Sequence, residues 1–336
     1  MPARQLWLPA LWGSLLLACL LLAGVVSAQD RPPRFEPGKF PGFPDFGGPK
    51  FGGPGKEGNF DPQRMFEQLF GQGGETDFAD EELAKVEISL REEAELGRQG
   101  LDEVRRTLAA RKVKLLERGS EVEYLSRLVE LVRPHMTQAA RYPKLRVYLM
   151  ETGEAEAYAY PGGHLYFSRG LLDAAQCEAA LVSVVGHELA HLDRGHLLRR
   201  AKQWKLAQQS LANPREGFSP DKMFQTLGMM QRLFQRPFGP DEELEADTDG
   251  IRWAYALGYD PRSVELVYVA LGRRGEKGGA DFMPAFLRTH PQSAERTANL
   301  RKTFNELTAA DPTKELYLGR QNLARRLTRR QREFLD

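Results

Sequence analysis

His187-Glu188-Leu189-Ala190-His191 places two imidazoles four residues apart within Ala179 to Leu198, a stretch dense in Ala, Leu and Val. Four residues of α-helix turn through about 400°, so the two rings stand one turn apart on nearly one face. That spacing offers two nitrogen donors to a single tetrahedral ion. Glu188, beside the first donor, can face the water that such an ion activates. The chain has only six histidines, and two imidazoles with a carboxylate in apolar surroundings would be costly to bury without a metal. The expected cofactor is one Zn2+ per chain.

A zinc site that does hydrolysis needs a third protein ligand and an open position. His196 is one candidate. The metzincin template places Gly three and His six residues after the second histidine. Here Gly195 and His196 stand at four and five, so the template fails, and a ligand from there would need the helix broken just after Asp193. His196 reads instead as a helix-end or surface histidine. The other candidate is Asp241-Glu242-Glu243-Leu244-Glu245-Ala246-Asp247. On a helix Glu243 and Asp247 share a face, which suits Glu243 as the third ligand and Asp247 as hydrogen-bond acceptor for the far nitrogen of His187. Glu245 is an alternative ligand but lies about 200° round the same helix. An acidic, solvated helix start would show the same residues.

Further elements must hold these residues. Glu81 to Glu117 is rich in helix formers, with Leu83, Val86, Leu90 and Leu96 roughly at helical spacing and Gly97 and Gly100 as candidate interruptions. Glu121 to Val132 reads as a second helix ended by Pro134. Leu145 to Met150 alternates like a strand; Ala157–Tyr160, Pro161-Gly162-Gly163 and His164–Phe167 read as a β-hairpin. Ser168 is placed to cap the following helical turn. Met223, Leu227, Met230 and Leu233 suggest an amphipathic helix that could cover the cleft.

The chain's start has a different character. Arg4 precedes an apolar stretch from Leu6 to Val26, and Val26-Ser27-Ala28 gives the small-residue exit of a secretory signal. A retained anchor is the alternative. Leu16-Leu17-Ala18-Cys19 resembles a lipobox, but the apolar run continues past Cys19. Cleavage after Ala28 leaves one cysteine, Cys177, and so no internal disulfide. Residues 31–60 hold 7 Pro, 8 Gly and 6 Phe, too many helix and strand breakers for a regular element. They read as a linker, or as a tract that docks on an envelope surface. The expected division is a signal segment 1–28, a spacer 29–75 and one domain 76–336. Within that domain lie a helical part 76–140, a catalytic part 141–310 and a basic C-terminal helix 311–336.

The pattern resembles the zinc metallopeptidases that include HtpX, periplasmic BepA and the CaaX prenyl proteases. Besides HExxH and Glu243-Leu-Glu-Ala-Asp247, the resemblance rests on Ala157 to Leu172, like the family's strand-turn-strand, and on Thr289-His-Pro-Gln-Ser-Ala-Glu-Arg296, like its HPxxxxR element. It runs from about Glu92 to Phe304, and is nearest the soluble BepA-like members. It implies an α+β, gluzincin-like fold, mostly helical with a small sheet beside the zinc helix. It also implies ligands at His187, His191 and Glu243, Glu188 as general base, and His290 close to the metal. There His290 would stabilise the oxyanion, or act as a fourth ligand that closes the site until substrate arrives. Arg296 would bind the oxyanion or a substrate carbonyl, or pair with the acidic zinc region. Two departures stand out: Glu156-Ala157 replaces the family's usual Asn-Ala, and Pro240 precedes the acidic motif where a polar residue is usual.

The implied activity is an exported zinc metalloendopeptidase of the periplasm or cell envelope, acting on unfolded or misassembled polypeptides. The alternatives are a zinc-containing chaperone or assembly factor that binds without cleaving, and an interaction protein working through its Phe/Gly/Pro tract. Glu188 favours the enzyme, because a purely structural zinc site has no need of a base. With 47 Lys+Arg against 46 Asp+Glu the chain lacks the field of a nucleic-acid binder. After the first segment no run of 18 apolar residues would span a membrane. The arginines at 325, 326, 329, 330 and 332 read as a solvated helix.

Overall fold

The computed structural model describes residues 79–211, 234, 236–278 and 285–335. The expected signal segment 1–28, the expected spacer 29–75 and the helix suggested by Met223 to Leu233 lie outside these residues. Among the described residues no helix is long and apolar enough to cross a membrane.

The N-terminal helical stretch is two helices, α1 (Asp80–Ala84) and α2 (Leu90–Ala110). They separate because Val86 and Ile88 leave helical geometry to pack with Leu198, Ala201 and Leu206. Ser89 then restarts the chain with a capping box: its Oγ accepts from the Glu92 N–H at 3.2 Å, and its own N–H donates to Glu92 at 2.8 Å. Gly97 and Gly100 do not interrupt α2. They lie against His164 and Tyr160 of the hairpin, where a side chain would collide. Helix α3 (Ser120–Val132) ends as expected before Pro134.

Four strands form one sheet in the order β1-β2-β4-β3, comprising β1 (Leu115–Leu116), β2 (Arg146–Met150), β3 (Ala157–Tyr160) and β4 (His164–Ser168). β2 runs parallel to β4, with Tyr148 opposite Tyr166, and β3 and β4 make the expected antiparallel hairpin, which leaves β3 at the edge. Ser168 caps α4 (Arg169–Ala175), its Oγ accepting from the Leu171 N–H at 3.1 Å. The stacked rings of Tyr148, Tyr158 and Tyr166 knit the strands together.

His164 belongs to this layer: its ring stacks on Tyr148 and its Nδ1 lies 3.1 Å from the Tyr148 hydroxyl. Burial, aided by Arg146, Arg105 and Arg98, pushes its pKa down to about 4. The unfolded value is about 6.5, so the unfolded chain takes up a proton that the folded chain refuses. Stability from this residue is complete above about pH 6.5 and is lost as pH falls toward 4, by up to ~3 kcal/mol. The difference in unfolding free energy between His164→Phe and the parent chain will therefore change across that window. A difference that stays constant from pH 7 to 4 would refute this.

Helix α5 (Glu178–Asp193) carries the HExxH residues, and every residue from Glu178 to Leu192 is buried. A helix that is apolar on all sides demands such a position. It ends earlier than its composition suggests. Gly195 takes φ +78°, a left-handed conformation that breaks the axis, and α6 (His196–Leu211) begins anew. Helix α7 (Pro240–Ala256) starts with Pro at its first turn, and the Glu242 carboxylate accepts from the Gly239 N–H at 2.9 Å. Helices α5 and α7 cross where Gly186 meets Gly250. A methyl group on Gly186 would stand 2.9 Å from the Gly250 Cα, so only glycine permits this approach. Helices α8 (Val264–Gly278), α9 (Ala285–Thr289) and α10 (Ala294–Ala310) follow.

The segment 311–336 is not one basic helix. Among its described residues only α11 (Arg320–Arg325) is helical, and the chain then folds back. The Phe334 ring is buried, with Arg325 and Arg332 against it, and the Phe334 N–H donates to the Tyr317 hydroxyl at 2.9 Å. Arg329 packs over Tyr317, and its N–H donates at 2.8 Å to Glu178, which also accepts from the hydroxyls of Tyr124 and Tyr259. The arginines thus cover aromatic surface, and the tail is tied to the first residue of α5. Cys177 precedes that residue; it is free and buried, and burial pushes its thiol up to about 11.

Candidate metal centre

The α5–α7 crossing brings the two motifs together. His187, His191, Glu243 and His290 form one buried group whose ligating atoms all lie within 4.8 Å of one another. His187 Nε2 is 3.1 Å from His191 Nε2 and 3.1 Å from His290 Nδ1. Glu243 lies 3.5 Å from His187 Nε2, 3.6 Å from His191 Nε2 and 2.9 Å from His290 Nδ1. In a tetrahedral site with zinc-to-ligand bonds of 2.0–2.1 Å, ligand atoms stand about 3.3 Å apart. The separations of 2.9–3.6 Å, which involve both Glu243 oxygens, bracket that value, and the whole group stays within 4.8 Å, close enough for one ion to draw together.

Charge supports the same fit. Glu188, Glu243 and Asp247 put three carboxylates in this buried space, and Arg296 is the guanidinium that touches two of them. A divalent cation would balance the remaining two negative charges. Both oxygens of Glu188 are buried without a hydrogen bond, although one lies 3.2 Å from His290 Nε2. An orphaned carboxylate at that depth is expensive unless a reactant or ion meets it. Burial holds His191 well below the usual histidine range, leaving a neutral ring with a lone pair to offer. Burial also works against a charge on His290, but Glu243 and Glu188 outweigh it and push its pKa up to about 10. A proton on His290 thus answers the same demand for positive charge that a metal would meet.

Surrounding contacts fix the rings. His187 Nδ1 lies 3.0 Å from Asp247 Oδ1, the partner expected from the helix face shared with Glu243. Arg296 was left open between a substrate role and an ion pair, and the structure places it in the pair. Its Nε and Nη2 donate to the two Asp247 oxygens, each at 2.7 Å, and Nη1 stands 2.6 Å from Glu243. Asp247 is held well below the carboxylate range, with Arg296 and His187 overcoming the opposing cost of burial. Ser293 caps α10 and sets Arg296 in its first turn.

His196 meets the helix-end half of its sequence reading. It does stand at a helix end, but it is buried rather than on the surface, and it is not in the ligand group. Its Nδ1 lies 2.9 Å from His191 Nδ1 and its Nε2 lies 3.2 Å from Glu245. Phe238 and Arg200 were not anticipated either. The Phe238 ring stacks on His191, centroids 3.7 Å apart, and the Arg200 guanidinium lies 3.6 Å from the same centroid. Arg200 is buried and donates to the carbonyls of Phe234 and Pro237, so it straps this segment over the second histidine. Phe238 stands five residues before Glu243, where an aromatic residue was the available signal.

Comparison with known proteins places the site in a family. The model for peptidase family M48 matches residues 123–304, just over half of the chain. A mitochondrial metalloendopeptidase OMA1 from Arabidopsis thaliana is 31% identical over 144 residues, which cover 42% of this chain and 28% of the relative. The beta-barrel assembly-enhancing protease of Escherichia coli (strain K12) is 26% identical over 188 residues, covering 52% and 37%. A mitochondrial metalloendopeptidase OMA1 from Danio rerio is 27% identical over 169 residues, covering 48% and 35%. The matched region is thus about a third of the length of these relatives.

Proposed function

Because the chain belongs to peptidase family M48, we propose that it is a zinc-dependent metalloendopeptidase, with His187, His191 and Glu243 as the ligands and Glu188 as general base. The observation that carries this reading is the buried cluster of His187, His191, Glu243 and His290, with ligating atoms within 4.8 Å of one another and the buried Glu188 carboxylate beside it. Zinc held there supplies a Lewis acid that polarises a peptide carbonyl and makes water acidic near neutral pH. Glu188 takes the proton of the attacking water and delivers it to the leaving amine nitrogen. Asp247 holds His187 in the tautomer whose Nε2 is free to ligate, and Arg296 keeps Asp247 and Glu243 ionised.

His290 Nδ1 stands 3.1 Å from His187 Nε2 and 2.9 Å from Glu243 Oε1, among the candidate ligand atoms, which supports the latent-ligand role over oxyanion stabilisation. On this reading His290 gives way when substrate arrives. An extended polypeptide would add alongside β3, the edge strand of the sheet among the described residues. The segment leading into that strand lies by the site: the Phe286 N–H of α9 donates to Ala155 O at 3.0 Å, and the Phe286 ring packs on His290. Recognition through backbone hydrogen bonds tolerates many sequences, which suits unfolded or misassembled envelope proteins. Export through the segment 1–28, with 29–75 as spacer, completes the proposal, and a peripheral envelope contact is the setting that spacer would serve.

The full chain, incubated with an unfolded protein such as casein, will cleave it and contain about one zinc per molecule. Cleavage will fall to background after chelation and return with added zinc. Binding of casein without cleavage at any zinc level would instead support a chaperone.

A further inference from the structure

The two histidine ligands are supported differently. His187 has a carboxylate directly on its far nitrogen, whereas the far nitrogen of His191 meets a second imidazole, His196 Nδ1, at 2.9 Å. His196 Nε2 in turn lies 3.2 Å from Glu245 Oε2. The polarity of this chain has one solution once His191 Nε2 offers its lone pair to a metal. His191 Nδ1 then carries the hydrogen and donates it, His196 Nδ1 accepts, and His196 Nε2 donates to the Glu245 carboxylate. Glu245 is half exposed, on the wall of a cleft of about 540 Å³ between α1, the α5–α6 elbow and the start of α7. The left-handed turn at Gly195 is what carries His196 back under His191.

We propose that His196 and Glu245 are positioning residues for the metal, a histidine–carboxylate relay that fixes the tautomer and orientation of His191. The relay does for the second ligand what Asp247 does for the first, but it ends at the protein surface. Phe238 packs against the His191 ring and cannot accept a hydrogen bond, so the relay alone sets which nitrogen bears the proton. The inference rests on the metal reading of the site.

The test uses the full chain, stripped of metal and titrated with zinc against a chromogenic chelator, and with cobalt for its visible spectrum. Loss of an outer hydrogen-bond partner typically costs 10–100-fold in metal affinity. His196→Phe and Glu245→Ala should each weaken zinc binding by about that factor and shift the cobalt bands. His196→Gln keeps an acceptor for His191 and a donor for Glu245, so it should stay near the parent affinity. Glu245 is half exposed, so its variant tests the relay even if His196→Phe fails to fold. Parent-like affinity and spectrum in Glu245→Ala overturns the proposal alone, as does a His196→Gln that falls as far as His196→Phe. A parent chain that takes up no ion overturns the metal reading and this inference with it.

Discussion

Glu188→Gln will lower peptide-bond cleavage by roughly 10²–10⁴-fold while leaving the bound metal in place. Glu188 is completely buried and lies outside the group of ligating atoms. The amide has nearly the same volume, so α5 and the α7 crossing have no reason to move. What it lacks is the ability to take a proton from water and return it to the departing nitrogen. The buried carboxylate is a poor choice for stability, because its one polar neighbour is His290 Nε2 at 3.2 Å. The checks are casein turnover, zinc content and thermal midpoint. Parent-level turnover with full zinc would end the general-base assignment.

That pairing of a poor stability choice with a good chemical one explains why the site was readable at all. HExxH stood out because two histidines and a glutamate in an Ala/Val/Leu helix contradict their surroundings, and helical geometry alone puts the rings on one face. Glu243 and Asp247 were readable for the same local reason, a four-residue spacing on one helix. Strand alternation, the Pro-Gly-Gly turn and the Ser168 cap were equally local, and each appears where its residues indicate.

Long-range events were not readable in this way. Gly195 looks like any helix-end glycine, yet its left-handed turn buries His196 beneath His191. The division at Val86–Ile88 arises because those side chains find partners on α6, more than a hundred residues later. The arginines of the tail suggested a solvated helix by composition. Tyr317 and Phe334 instead supplied aromatic surface for them to cover, and Glu178 supplied an acceptor. Arg296 was ambiguous because either role, substrate binding or acid pairing, suits an arginine near zinc. The deciding fact is that two buried carboxylates from α7 have to be paired, and it emerges only when α10 docks on α7.

Arg296→Met should therefore be the most damaging single change to folding outside the ligands themselves, costing about 3–5 kcal/mol at neutral pH. Arg296 is 2% exposed, and its guanidinium reaches Asp247, Glu243, the Pro291 carbonyl and the Tyr268 hydroxyl. Methionine fills much of the volume but leaves two buried carboxylates facing one another. The sign of the pH effect follows from Asp247. Its folded pKa is depressed, so its contribution is present above the unfolded value of about 3.9 and lost as pH falls below it. Without Arg296 that depression disappears, so the gap between variant and parent should hold from pH 7 to about pH 4 and narrow only as the pH falls below about 3.9. Zinc should narrow it too, because an ion that binds only the folded chain stabilises it and also neutralises Glu243. Adding Asp247→Asn to Arg296→Met should recover part of the loss, since one of the stranded charges is removed while an acceptor for His187 stays. Urea unfolding of the three chains at pH 7, with and without zinc, and again at about pH 2.5, below the unfolded carboxylate value, measures all of this. A loss below about 1 kcal/mol, the scale of a surface ion pair, would mean that the guanidinium does not hold these acids in place.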